Sequence, residues 1–203
     1  MLDAELFDQA RALLELCRSK RLRIAAAESC TGGLVAATLT EIAGSSDVFE
    51  RGFVTYSNEA KETMLGVPPT TLAGYGAVSS ETAEAMASGA LAHAPVDLAV
   101  SITGVAGPGG AVPGKPVGLV HFAAASRRGR MIRRERRYGD IGRMQVRRAS
   151  VGEALAMLGE LAAHKAANPA FLVERVHLFP LGGITATTDY AGAALAPARR
   201  ARA

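Results

Sequence analysis

The chain has 203 residues, 23 Lys and Arg against 19 Asp and Glu for a net charge of +4, two Cys, no Trp and 49% apolar residues. That length and apolar fraction describe one globular domain with an appendage, and exclude a disordered or collagen-like chain. Cys17 and Cys30 form no CxxC pair, and His93, His121, His164 and His177 lack ligand spacing, so neither a disulfide scaffold nor a metal site is indicated.

Asp3, Glu5 and Asp8 stand where a signal peptide would be basic, and no apolar run reaches membrane-spanning length, so the sequence reads as a soluble cytoplasmic protein. Leu6, Ala10, Leu13, Leu14 and Cys17 recur at helical spacing and predict an amphipathic helix over residues 3–19. Leu22 to Ala27 reads as a buried strand, and Gly32-Gly33 then open a helix to about Ile42. Gly52 to Tyr56 is a second strand, followed by a helix from Asn58 to Leu65 that Gly66 and Pro68-Pro69 close; a loop rich in Gly and Thr comes next. Ser79 or Ser80 caps a helix running to about His93, with Glu81 and Glu84 in its first turn, where the helix dipole favours acids.

Asp97 to Thr103 is a third strand, and Gly104 to Pro116 a loop of five Gly and three Pro. Val117 to Ala125 and Met131 to Tyr138 make two strands joined by a tight turn, the second at a sheet edge. Ile141, Met144, Val151, Leu155, Leu158 and Ala162 predict a last long helix from Ile141 to about Ala166, stopped by Asn168-Pro169. Phe171 to Pro180 reads as one more strand, and Ala191 to Ala203 as a disordered tail. The expected architecture is a three-layer α/β/α sandwich with a mixed, mostly parallel sheet over residues 1–168, followed by an extension over 169–203.

Ten Arg and only two acids lie between Arg127 and Arg148. A solvated ribbon is the default reading. Nucleic acid is the lesser one, because Tyr138 alone interleaves an aromatic ring and base-stacking needs several.

Three segments fall at the carboxyl ends of strands, where α/β proteins bind ligands. In Glu28-Ser29-Cys30-Thr31-Gly32-Gly33 the Ser29 hydroxyl precedes a helix, a place for a nucleophile, and the N–H groups of Thr31, Gly32 and Gly33 could hold an oxyanion. On these residues alone, Ser29 or Thr31 as a plain helix cap is an equal reading, and the Cys30 thiol is a second candidate nucleophile. The second segment runs from Thr55 to Lys61. Lysine, unlike arginine, can lose its proton when desolvated and act as a base beside Ser29; a surface Lys61 paired with Glu59 or Glu62 is the competing reading. The third, Thr103 to Gly110, leads into Gly109-x4-Gly114-Lys115-Pro116, which imitates a P-loop but has Pro where the metal-binding hydroxyl belongs.

Taken together, Ala27-Glu28-Ser29-Cys30-Thr31-Gly32-Gly33, Val54-Thr55-Tyr56-Ser57-Asn58 with Lys61, Gly76-Ala77-Val78-Ser79, Ile102 to Gly110 and Lys115-Pro116-Val117-Gly118 resemble the CinA C-terminal domain family, the nicotinamide-nucleotide amidases, in the family's order over residues 5–165. The resemblance implies hydrolysis of the carboxamide of nicotinamide mononucleotide to nicotinate mononucleotide and ammonia, a step of pyridine-nucleotide salvage that uses no metal or cofactor. It implies Ser29 as nucleophile, Lys61 as general base acting directly or through Tyr56, and Thr31, Gly32 and Gly33 at the oxyanion. Thr103, Gly104, Gly107 and Gly109 would form the substrate wall, Arg143 a phosphate contact, and Ser46 a further lining residue. A homodimer acting on a small-molecule nucleotide is the expected form. The competing function is a non-catalytic nucleotide or nucleic-acid binding module, which leans on the arginine run and on the family's association with competence.

Overall fold

Strand parity decides which side of the central sheet each residue serves, and the computed structural model, which describes residues 4–164, shows the consequence directly. Five strands, β1 (Ile24–Glu28), β2 (Phe49–Val54), β3 (Leu98–Gly104), β4 (Leu119–Ser126) and β5 (Met131–Arg137), pair in the order β2-β1-β3-β4-β5. β1 is parallel to both β2 and β3, whereas β4 is antiparallel to β3 and β5. Four strands therefore point one way and β4 alone is reversed, as a mixed, mostly parallel sheet requires.

On one face Ile24, Ala26, Val100, Ile102, Val120, Phe122 and Ala124 pack under α1 (Ala4–Ser19), α2 (Leu34–Thr40) and α6 (Arg143–Ala163). The buried stripe of α1 is Leu6, Ala10, Leu13, Leu14 and Cys17, the stripe its spacing predicts. On the other face the sheet presents the small side chains Ala25, Ala27, Ala99, Ala123 and Ala125 to α3 (Asn58–Leu65), α4 (Pro69–Tyr75) and α5 (Ser80–His93). Small residues let α5 lie close to the sheet, where Ser101 Oγ donates to Ala83 O. α5 also lies close to α3: a Cβ on Gly89 would run into the Leu65 carbonyl.

Two expectations need correction. The segment after Pro68 is not a loop: Pro69 begins the short helix α4, Leu72 is its buried anchor, and Gly76 at φ +76° ends the turn. Ile141 and Met144 are exposed rather than part of the last helix's buried face, because α6 starts at Arg143 and its first turn overhangs the end of the sheet. Ser79, not Ser80, caps α5, accepting the Thr82 N–H. The strand expected at Phe171–Pro180, the extension from 169 and the tail from Ala191 lie outside the described residues.

Candidate active site

Because β1, β2 and β3 run parallel, the segments leaving their carboxyl ends meet on one rim around a cleft of about 260 Å³. Ser29 follows β1, Tyr56 follows β2, and Thr103-Gly104 end β3; Gly107 and Gly109 continue the wall and Arg143 overhangs it from α6. Two of these glycines are sterically required. A Cβ at Gly104 would meet Leu119 O at 2.6 Å, and Gly107, at φ +79°, would drive one into Val117. The Thr103 hydroxyl donates to Ala77 O at 2.6 Å, tying β3 to the segment before α5.

Ser57 caps α3 by accepting the Ala60 N–H, which sets the helix so that Lys61, in its first turn, points back under the rim. Lys61 is 1% exposed. Its Nζ lies 2.8 Å from Thr55 O and 3.1 Å from Ser29 Oγ. Among the described residues it forms no ion pair, and burial without a counter-charge pushes the amine below its ordinary 10.5. The competing picture of a surface lysine paired with Glu59 or Glu62 is therefore overturned.

Glu28 caps α2, not Ser29 or Thr31. The even parity that puts Ile24 and Ala26 under the helices also puts Glu28 there, fully buried, with Oε2 accepting from Gly33 N and Val35 N and Oε1 from Ala36 N at 2.9–3.1 Å. This corrects the oxyanion expectation for two residues: Gly33 N–H belongs to Glu28, and Gly32 N–H closes a turn on Ser29 O at 3.1 Å. Thr31 N–H takes no acceptor among the described residues. Cys30 is corrected as a nucleophile. Its thiol is buried and pushed up to about 12, chiefly by desolvation, so no useful thiolate forms near neutral pH.

Tyr56 is 60% exposed, and its hydroxyl accepts from Arg143 Nη2 at 2.9 Å while Arg143 Nη1 donates to Gly107 O at 3.0 Å. Of the two expected routes between Ser29 and Lys61, the direct one is present. The Tyr56 hydroxyl contacts Arg143, and among the described residues no hydrogen bond joins it to Ser29 or Lys61. Ser46 is not a cleft residue: it sits in the turn Ser45–Asp47 before β2, at the opposite end of that strand from Tyr56. Sequence reasoning also passed over the structural role of Glu28, whose strand parity was the available signal, and Arg147, whose Nη2 donates to Thr31 O at 2.7 Å.

Five of the ten arginines in the run, Arg130 and the four on β5, pair with carboxylates within the fold. Arg133 pairs with Glu84, Arg134 with Glu153 and Glu160, Arg136 with Glu153 and Arg137 with Glu135. Arg127 donates to the carbonyls of Leu91, Ala94 and Val96. On the edge strand β5 these charges oppose strand addition, which explains their density without a nucleic acid. Among the described residues no group of three His, Cys, Asp or Glu could hold a metal ion, and no helix is long and apolar enough to cross a membrane.

The sequence profile of the CinA C-terminal domain matches residues 7–162. The nicotinamide-nucleotide amidohydrolase PncC of Escherichia coli K12 is 51% identical over 159 residues, 78% of this chain and 95% of that protein. A CinA-like protein of Synechococcus sp. RCC307 is 51% identical over 150 residues, 73% of this chain but only 36% of its own length. The chain thus spans nearly all of one relative and well under half of the other. The crystal structure of the competence/damage inducible protein CihA from Agrobacterium tumefaciens superposes with a TM-score of 0.78 at 51% identity, covering 79% of this chain and 98% of that one.

Proposed function

Because the chain belongs to the CinA C-terminal domain family, we propose that it hydrolyses the carboxamide of nicotinamide mononucleotide to nicotinate mononucleotide and ammonia, with Ser29 as nucleophile and Lys61 as general base. The E. coli relative's activity supports the reaction class. The observation that carries the mechanism is the buried Lys61 amine 3.1 Å from the Ser29 hydroxyl, with no carboxylate to keep it charged.

Neutral Lys61 takes the Ser29 proton as Oγ attacks the amide carbon, and the negative charge moves to the carbonyl oxygen, towards the Thr31 N–H. The tetrahedral centre collapses by breaking the C–N bond; Lys61 returns its proton to the nitrogen and ammonia leaves. Water then attacks the ester on Ser29, giving a proton to Lys61. Breaking the C–Oγ bond releases the carboxylate product, and Lys61 reprotonates Ser29. Arg143, at the N-terminus of α6, supplies a guanidinium fork for the substrate phosphate. Thr103, Gly104, Gly107 and Gly109 form the wall along which the substrate lies.

The same reading makes this a salvage enzyme of the cytoplasm, acting as a homodimer, with residues 1–168 as the catalytic domain and 169–203 as an extension. A purified chain that sediments as a monomer overturns the dimer. The substrate test is chromatographic: nicotinamide mononucleotide disappears while nicotinate mononucleotide and ammonia appear one for one, and nicotinamide riboside, which lacks the phosphate, reacts far more slowly. Absence of turnover with the mononucleotide contradicts the reading.

A further inference from the structure

We propose that Arg147 is a positioning residue for the catalytic turn, holding the Thr31 carbonyl from behind the cleft and thereby fixing Ser29 against Lys61. The inference rests on the Ser29–Lys61 reading above. Arg147 stands one helical turn after Arg143 on α6, so both side chains leave the same face of the helix. Arg143 reaches the cleft; Arg147 is not among the residues lining it. Unlike Arg133, Arg134, Arg136 and Arg137, it forms no ion pair with a carboxylate among the described residues. Its Nη2 donates to Thr31 O at 2.7 Å, and its Nε is buried with no partner. A guanidinium kept partly desolvated for a single carbonyl is costly as a stability device and informative as a brace.

The brace reaches Ser29 through one rigid unit. Thr31 C=O and Gly32 N–H belong to the same planar peptide, so the group that anchors the carbonyl also sets the direction of the N–H. That N–H donates to Ser29 O at 3.1 Å. On the other side of the turn Gly33 N–H is held by Glu28, and Ser29 N–H by Ile102 O at 2.9 Å. Neither Glu28 nor β3 touches the Thr31–Gly32 peptide; its carbonyl is held by the Leu34 N–H at 3.3 Å and, more closely, by Arg147 at 2.7 Å. Without Arg147 the carbonyl keeps only the longer Leu34 bond, which loosens the plane and lets Ser29 drift from Lys61.

The test compares Arg147→Met with Arg147→Lys, whose amine can still reach the carbonyl. Two rates are read: ammonia release from nicotinamide mononucleotide, and covalent labelling of Ser29 by a fluorophosphonate, followed by mass spectrometry. Misplacement of a nucleophile by about 1 Å costs up to about 100-fold, so Arg147→Met should lower kcat and the labelling rate about 10- to 100-fold. KM should stay within about 2-fold, because the residue touches no substrate. Arg147→Lys should recover most of both rates. Wild-type rates in Arg147→Met, or a change confined to KM, overturn the role. Should Arg147→Met not fold, Arg147→Gln, too short to span to Thr31 O, decides on the same rates. A wild type that labels at Ser29 but releases no ammonia contradicts the amidase reading while the labelling rates still judge Arg147. A wild type that does not label at Ser29 overturns both.

Discussion

Glu28 and Ser29 are consecutive residues that leave the end of β1 for opposite sides of the sheet: the Glu28 carboxylate closes the start of α2, and the Ser29 hydroxyl meets the Lys61 amine. The helix N-terminus, the obvious anion site in the sequence, already holds an internal anion. The turn carrying Ser29 is consequently organised without a ligand, as the proposed role of Ser29 as nucleophile requires.

Removing that carboxylate should be expensive. Glu28→Ala removes a fully buried carboxylate and leaves three N–H groups, one of them buried, without their acceptor, and should cost about 2–4 kcal/mol, against about 1 kcal/mol for an ordinary exposed cap. Urea melts of the two proteins measure it. A loss below about 1 kcal/mol would mean that water or another group takes over the cap.

The pH dependence of stability isolates Lys61. Its folded pKa is lowered by burial from 10.5, so below the folded value the native state carries the full cost of a buried charge. Between the folded value and 10.5 the unfolded chain binds more protons than the native one, and stability rises with pH across that window. The wild type should therefore gain stability relative to Lys61→Met as pH climbs from neutral towards 10.5. Parallel curves for the two proteins would contradict the uncompensated amine.

Gly89 sets the distance between α3 and α5. Helix propensity alone favours Gly89→Ala by about 1 kcal/mol, but the new Cβ enters the Leu65 carbonyl, and overpacking of backbone costs about 1–3 kcal/mol. The clash should win, and because α3 carries Lys61, kcat should fall along with the melting temperature. A variant more stable than wild type would show that the helices part freely.

The pairing of the β5 arginines with Glu84, Glu153 and Glu160 gives a fourth outcome. The protein should show no DNA affinity with a steep salt dependence, since few unpaired cations remain on that strand to displace counterions. Arg134→Ala should cost about 1 kcal/mol of stability through its two carboxylates. Tight, salt-sensitive binding of duplex DNA at low ionic strength would restore the binding-module reading.

Much of this was legible in the sequence where one periodicity acted alone. The α1 stripe and the strand-turn-helix around Ser29 follow from spacing, and Lys61 stood out as one of four lysines in the chain. What spacing could not show was competition for the same groups. Nothing in Gly32-Gly33 reveals that a neighbouring carboxylate takes Gly33 N–H, and nothing in Tyr56 reveals that Arg143, 87 residues away, holds its hydroxyl. α4 was missed because Thr70, Thr71 and Gly74 are weak helix formers, and only the burial of Leu72 makes the turn worthwhile. Ser46 was carried over by resemblance alone, and the run of β2 places it at the far end of the strand.

The most direct measurement is ammonia release from nicotinamide mononucleotide, with chelator present, by the wild type, Ser29→Ala, Lys61→Ala and Lys61→Arg. The Ser29–Lys61 account predicts turnover in the wild type alone, with Lys61→Arg as inactive as Lys61→Ala because a guanidinium keeps its proton. Full activity in Ser29→Ala, or rescue by Lys61→Arg, would contradict it.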